Sequence, residues 1–313
     1  MNCVCKKKEI FKQLLSKSTL LICPICHESL NTQGDSLKCI NNHTFNINNK
    51  GFTCLLNKSK IFTSDIYNKE LFENRRIAIL SGLYEKIHLS ISEFINKTFP
   101  KGCNILEIGC GEATHSYKIK SMLTIPNTFI ATDLSKQAIE LSTNYLTNDI
   151  IPICCDANNL PILSKSINVV LDILSPYNYN EINRVLANDG FIIKVFPDID
   201  YLKEIREIIH KQEYTKQDEV MNNFCQHFNI ISSTLYKQTY NINEDLNNAL
   251  VNMTPLTNKS SISESLKSIT ISLKIVIAQI KHNWIIFNLK HKKIKRAKPL
   301  NLFFTQLPPT KNV

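Results

Sequence analysis

The sequence predicts an α/β protein, a mostly parallel sheet covered by helices, with a small metal-binding module in front of it. Three observations carry that expectation. Four Cys and His residues stand early in the chain at metal-ligand spacing. From about residue 101, short apolar strand-like runs alternate with helical stretches, the order that builds parallel sheets. One of those runs ends in a glycine turn flanked by acidic residues.

Taken in order, residues 1–18 form a basic, amphipathic lead to which the sequence assigns no role. The stretch 19–57 holds Cys23-Pro-Ile-Cys26 and then Cys39 and His43, together Cys-x2-Cys-x12-Cys-x3-His. Zn²⁺ takes four such ligands as a tetrahedron, and two short turns that each present a ligand pair supply it without a large core. Gly34 and Asp35 mark the turn between the halves. Four protein ligands leave no open position, so the expected zinc is structural. His27, beside a ligand, is expected at the surface.

A helical linker is expected over 58–100, where Ile66, Leu71, Ile77, Leu80, Leu83, Ile87 and Ile91 recur at about helical spacing. The catalytic domain is expected over 101–281. Its strands are Asn104–Ile108, Thr128–Thr132, Ile150–Cys154, Ile167–Ile173 and Phe191–Phe196, with a late one over Ile269–Ile277. Helices are expected from Ser135, as N-cap, through Tyr145 and over Tyr179–Leu186. A basic tail, 282–313, carries the cluster Lys290–Lys298.

The first strand leads into Glu107-Ile-Gly109-Cys-Gly111-Glu112. The two glycines let the backbone turn tightly and approach a ligand, at the N-terminus of the next helix. A short G-x-G also fits dinucleotides. Three features favour S-adenosylmethionine: Glu107 two residues before the first glycine, Asp133 at the end of the second strand where a carboxylate can accept from both ribose hydroxyls, and Asp156 after the third strand, suited to the adenine edge.

The net charge of +10 favours a polyanionic partner, although a Lys-rich composition also serves solubility. Lys38, Lys50, Lys58, Lys60, Arg75 and Arg76 are candidate phosphate contacts. Eleven cysteines without a secretory signal argue for a cytoplasmic chain with no disulfide framework. No apolar run is long enough for a membrane span.

The order of these parts resembles the RlmA-type 23S rRNA (guanine-N1)-methyltransferases. The Cys-Pro-x-Cys…Cys-x3-His module is followed by Lys50-Gly51-Phe52, Asn74-Arg75-Arg76, Gly82-Leu83-Tyr84, Leu106-Glu-Ile-Gly-Cys-Gly-Glu112, Ser175-Pro176 and Met253-Thr254-Pro255. Ala113 stands where the family has a glycine. The resemblance implies a class I (Rossmann-like) methyltransferase sheet with a small N-terminal zinc-binding module. It implies zinc on Cys23, Cys26, Cys39 and His43, methyl-donor contacts from Tyr84, Gly111 and Glu112, and 23S rRNA as substrate. The Met-Thr-Pro segment would shape the domain's far edge. A homodimer is left open.

Guanine N1 carries a proton, so a proton acceptor helps its methylation. Asp172, near the end of the fourth strand, is the candidate, against the plainer reading of a strand-end carboxylate facing water. Tyr177 could stack on a flipped guanine or be an ordinary turn residue. Two rival functions remain: methylation of a small molecule, and RNA binding without catalysis.

Overall fold

In the computed structural model, which describes residues 3–56, 67–176, 178–209, 217–254 and 266–281, the zinc module and the catalytic region share one sheet. The basic lead is a helix, α1 (Cys3–Ser16). Four short strands follow: β1 (Asn31–Gln33), β2 (Ser36–Lys38), β3 (Thr44–Asn48) and β4 (Phe52–Cys54). Two helices replace the expected single helical stretch, α2 (Lys69–Leu80) and α3 (Glu85–Thr98). The break falls at Gly82, whose φ is +94°.

The catalytic region then runs β5 (Cys103–Ile108), α4 (Thr114–Met122), β6 (Asn127–Asp133), α5 (Lys136–Ser142), β7 (Ile150–Cys154), β8 (Ile167–Ile173), α6 (Tyr179–Val185), β9 (Leu186–Pro197), α7 (Lys203–Ile208), α8 (Gln217–His227), β10 (Phe228–Asn241), α9 (Glu244–Asn252) and β11 (Ser268–Ile280). Ser135 caps α5 as expected, its hydroxyl accepting from the Ala138 N–H at 3.2 Å. A 3₁₀ turn, Thr143–Asn148, extends that helix.

The sheet order is β1-β2-β3-β4-β7-β6-β5-β8-β9-β11-β10. Its centre, β4 through β9, is parallel, and both flanks are antiparallel. The parallel strands are near-continuous apolar runs, as strands covered on both faces must be. The strand order reverses between β5 and β8, and ligands bind at such a switch point, beyond the strands' C-terminal ends.

Residues Met1–Ile280 form one compact unit, and Lys281–Val313 fall in a second. Within the first, α1 contributes buried Phe11, Leu14 and Leu15 to the core on one sheet face. Gly51 explains part of the Lys50-Gly51-Phe52 signature. Its φ is +84°, and a Cβ there would lie 2.7 Å from the Lys7 carbonyl oxygen of α1. The zinc module is also tied to the loop after β7. Ile22 N–H donates to the Pro161 carbonyl at 3.0 Å, and the Asn159 amide donates to the Pro24 carbonyl at 2.9 Å.

Candidate functional site

Two sites emerge, and the first is the metal cluster. Each ligand pair sits on a turn that closes with a left-handed residue, His27 (φ +61°) after Cys26 and Asn42 (φ +64°) before His43. The Cys26 and Cys39 sulfurs are 3.6 Å apart, and His43 Nδ1 lies 3.5 Å from Cys23 Sγ and 3.4 Å from Cys39 Sγ. Zn–S bonds of about 2.3 Å and Zn–N bonds of about 2.0 Å in a tetrahedron require S···S edges of about 3.8 Å and S···N edges of about 3.5 Å. All four ligand atoms fall within 4.8 Å of one another, so the cluster fits zinc. His27 is exposed and outside the cluster, as expected.

The second site is a cavity of about 760 Å³ beyond the C-terminal ends of β5, β6, β7 and β8. Tyr84, Glu107, Gly109, Gly111, Glu112, Asp133 and Asp156 all line it. The glycine turn is built by necessity. Gly109 has φ +69°, and a Cβ there would stand 2.6 Å from the Ser175 side chain. Asp133 closes the turn by accepting from the Gly111 N–H at 2.8 Å and from the Ser135 N–H at 2.8 Å. A carboxylate has about four acceptor positions, so Asp133 retains capacity for ribose hydroxyls. Asp156 accepts from the Asn158 backbone N–H at 2.8 Å.

Glu107 and Glu112 are buried. Glu107 accepts from the Ser116 hydroxyl. Glu112 accepts from Thr114, whose hydroxyl is 2.8 Å from that of Tyr145. Burial pushes Glu107 up to about 8, and neighbouring Glu112 adds to the rise. Burial pushes Glu112 up to about 7, against Thr114 and the two arginines that favour its charge. Burial raises Asp133 as well. S-adenosylmethionine carries a sulfonium and an ammonium, so a cavity lined with incompletely neutralised acids suits it. Such a ligand would relieve the burial cost that a neutral molecule would leave in place.

Tyr84 is buried, with its hydroxyl 2.9 Å from that of Tyr201, and burial pushes it up to about 12. Its ring meets His115 edge-on at 5.2 Å.

Asp172 departs from both expectations for it. It is fully buried, neither facing water nor on the cavity wall. Its Oδ1 pairs with Lys194 Nζ at 2.7 Å, across the register Asp172↔Lys194 of β8 and β9, and lies 2.7 Å from Ser175 Oγ. Lys194 and Ser175 do reach the cavity. Asp172 therefore holds wall residues in place and is not positioned to take the N1 proton directly. Tyr177 lies outside the described residues, as do Lys58, Lys60, Pro255 and the Lys290–Lys298 cluster.

Several wall residues escape the sequence reading. Phe72, His115, Lys194, Tyr201 and Met253 line the cavity. Arg75, expected among the phosphate contacts, lines it too and donates through Nε to the Met253 carbonyl at 3.0 Å. The Met253-Thr254 segment thus belongs to the site wall rather than to a far edge. Among these wall residues the resemblance marks only Arg75, within Asn74-Arg75-Arg76, and Met253-Thr254, and it places the latter at a far edge; Phe72, His115, Lys194 and Tyr201 carry no signal in the sequence.

A Bacillus subtilis (strain 168) protein that bears the name "Putative 23S rRNA (guanine-N(1)-)-methyltransferase YxjB" is 36% identical over 195 residues, 60% of this chain and 68% of that protein. The chain belongs to the 23S rRNA (guanine-N1)-methyltransferase family of RlmA type. Residues 21–59 match the model of the RlmA N-terminal zinc ribbon, and residues 105–190 match that of a methyltransferase domain. The 23S rRNA (guanine(748)-N(1))-methyltransferase of Streptomyces fradiae is 21% identical, covering 75% of this chain and 84% of its own length. A Micromonospora griseorubida relative is also 21% identical, over 75% and 85%. As a member of this family the chain is an S-adenosylmethionine-dependent methyltransferase of class I fold with a zinc-binding ribbon. The expectations for fold, zinc and methyl donor agree with these matches.

Proposed function

We propose that the protein transfers a methyl group from S-adenosylmethionine to N1 of a guanine in 23S rRNA, in the cytoplasm. The observation that carries this reading is the hydrogen-bonded junction between the two sites. The zinc knuckle at Pro24 is hydrogen-bonded to Asn159, three residues beyond the cavity residue Asp156. An RNA contact made by the ribbon is therefore registered against the donor cavity, and positioning is most of what this transfer asks of an enzyme. A small-molecule methyltransferase has no use for such a junction. The names of the relatives and the charge of +10 point the same way. Among the described residues no helix is long and apolar enough to cross a membrane.

The donor's sulfonium supplies an activated methyl group. Guanine N1 would attack that carbon as the carbon–sulfur bond breaks toward sulfur, leaving the donor as its neutral thioether, S-adenosylhomocysteine, and the N1 proton would pass to solvent water. Asp133 and Asp156 would hold the ribose and adenine, and Tyr84, Glu107, Gly109, Gly111 and Glu112 the methionine end. N1 lies on the Watson–Crick edge, so its methylation blocks pairing and stops reverse transcriptase one nucleotide early. Deleting the gene is expected to abolish one such stop in 23S rRNA, and restoring the gene is expected to bring it back. Persistence of every N1-methylguanine stop after deletion would remove the assignment.

A further inference from the structure

The methyl donor is a zwitterion at its amino-acid end, and the acids around the cavity account only for its positive groups. The α-carboxylate needs donors of its own. Arg75 is a cation on the cavity wall that has no carboxylate partner among the described residues. Its Nε–H is spent on the Met253 carbonyl, and the guanidinium carbon lies 5.8 Å from the Phe72 ring centroid and 5.9 Å from that of Tyr67. Those contacts fix the plane of the group while its terminal N–H groups remain unassigned to any acid.

His115, from the first turn of α4, lines the same cavity. Its Nδ1 is 2.8 Å from Nε2 of His88, on α3. His88 is fully buried, and its other nitrogen, Nδ1, has no partner among the described residues. Burial keeps both rings neutral, with His88 pushed down to about 3 and His115 well below the usual range. One proton is therefore shared between the facing nitrogens. If His115 gave it, His88 would carry its own proton on Nδ1, as a buried N–H with no acceptor. Orphaned buried N–H groups are the rarest defect in folded proteins. The network instead assigns the proton to His88 Nε2, which donates to His115 Nδ1. A neutral His115 then carries its proton on Nε2.

We propose that Arg75 and His115 form the subsite for the α-carboxylate of the methyl donor, with His88 as the positioning residue that keeps His115 in its donating tautomer. The inference deepens the donor-binding reading and rests on it. Asp133 and Asp156 at the ends of β6 and β7 claim the nucleoside, which directs the amino-acid end toward the helices that carry Arg75, Tyr84 and His115. Acids then meet the sulfonium and ammonium, and Arg75 with His115 meets the carboxylate.

Decarboxylated S-adenosylmethionine keeps the sulfonium, the amine and the nucleoside, and lacks only the group in question. Calorimetric titration of the zinc-loaded, full-length protein with both ligands is the test. The wild type is expected to prefer the carboxylated donor. Arg75→Met is expected to weaken that donor by about ten- to a hundredfold, the usual scale for a charge-assisted contact, and to leave the decarboxylated analogue nearly unchanged. Arg75→Lys, which keeps the charge and loses the fork, is expected to fall between and guards against misfolding in the first variant. His115→Phe and His88→Phe are expected to erode the same preference by smaller factors, about threefold to tenfold. Equal weakening of both ligands by Arg75→Met and His115→Phe, or no change in either, would overturn the subsite. A wild type that binds neither ligand would overturn the donor reading itself, a distinct result.

Discussion

The zinc ribbon and the donor cavity reach fixed geometry by opposite routes. The ribbon gathers four ligands from two local turns and lets one ion close them, while its buried Leu37, Phe45 and Ile47 join the core on one face of the shared sheet. The cavity gathers its wall from strand ends, helices and loops spread between Tyr67 and Thr254, and only the completed sheet brings them together. Local chemistry is thus both the strength and the weakness of the ribbon. Losing one ligand empties it, whereas the cavity degrades residue by residue.

The largest expected effect breaks the ribbon. Cys26→Ser should remove the one tightly held zinc per chain and cost more than about 4 kcal/mol of stability, because metal binding and folding of such sites are one process. Because β4 pairs with β7, the loss should reach the donor site. Elemental analysis with thermal unfolding and donor titration checks this. Full zinc content in the variant, or an unchanged donor affinity after metal loss, would break the comparison.

A smaller effect tests the cavity's backbone. Gly109→Val puts a side chain against Ser175 at a positive φ and should cost about 2–4 kcal/mol. Donor binding should be lost while zinc remains bound, whereas the first variant disturbs both sites. Retained zinc with normal donor affinity would mean that the glycine turn is not the contact surface.

The smallest effect is electrostatic. Glu107 is held up at about 8 and Glu112 at about 7, against 4.5 for an ordinary glutamate. At these two acids the folded chain therefore binds more protons than the unfolded one between pH 4.5 and about 8. The contribution of these acids to stability is greatest below that window and declines as pH rises through it. A cationic donor favours the ionised acids, so its affinity should run the other way and rise by about three- to tenfold from pH 6 to pH 8. Glu112→Gln should flatten the lower part of that rise. Calorimetry across pH decides it, and an affinity that falls with pH would contradict the charge assignment.

The same contrast explains what could be read from the sequence. The ribbon's ligands lie close in sequence, so spacing alone names Cys23, Cys26, Cys39 and His43. Glu107, Asp133 and Asp156 are legible because each sits at or just past a strand end that apolar runs mark. Arg75, His88 and His115 are not, because nothing in a helix's own sequence says which face meets a cavity. Helical periodicity also misplaces Ile77 and Leu80, which recur as core residues would and yet are exposed. Asp172 was legible as a strand-end acid, but its burial depends on Lys194, one strand away in register. β10 escapes notice because it is an edge strand, mostly exposed, and shows no clean alternation. Ala113 takes the left-handed conformation, φ +67°, that the family's glycine would adopt without strain. The substitution changes the residue and leaves the turn intact.

The central claim is that the ribbon and the cavity act together on one base of 23S rRNA. The most direct measurement supplies the purified zinc-loaded protein with methyl-labelled S-adenosylmethionine and 23S rRNA from cells that lack the gene. The RNA is then digested to nucleosides, and the label is followed through chromatography. The account predicts label in N1-methylguanosine alone, at one position. Label in another nucleoside, or donor binding without any transfer to RNA, would contradict it.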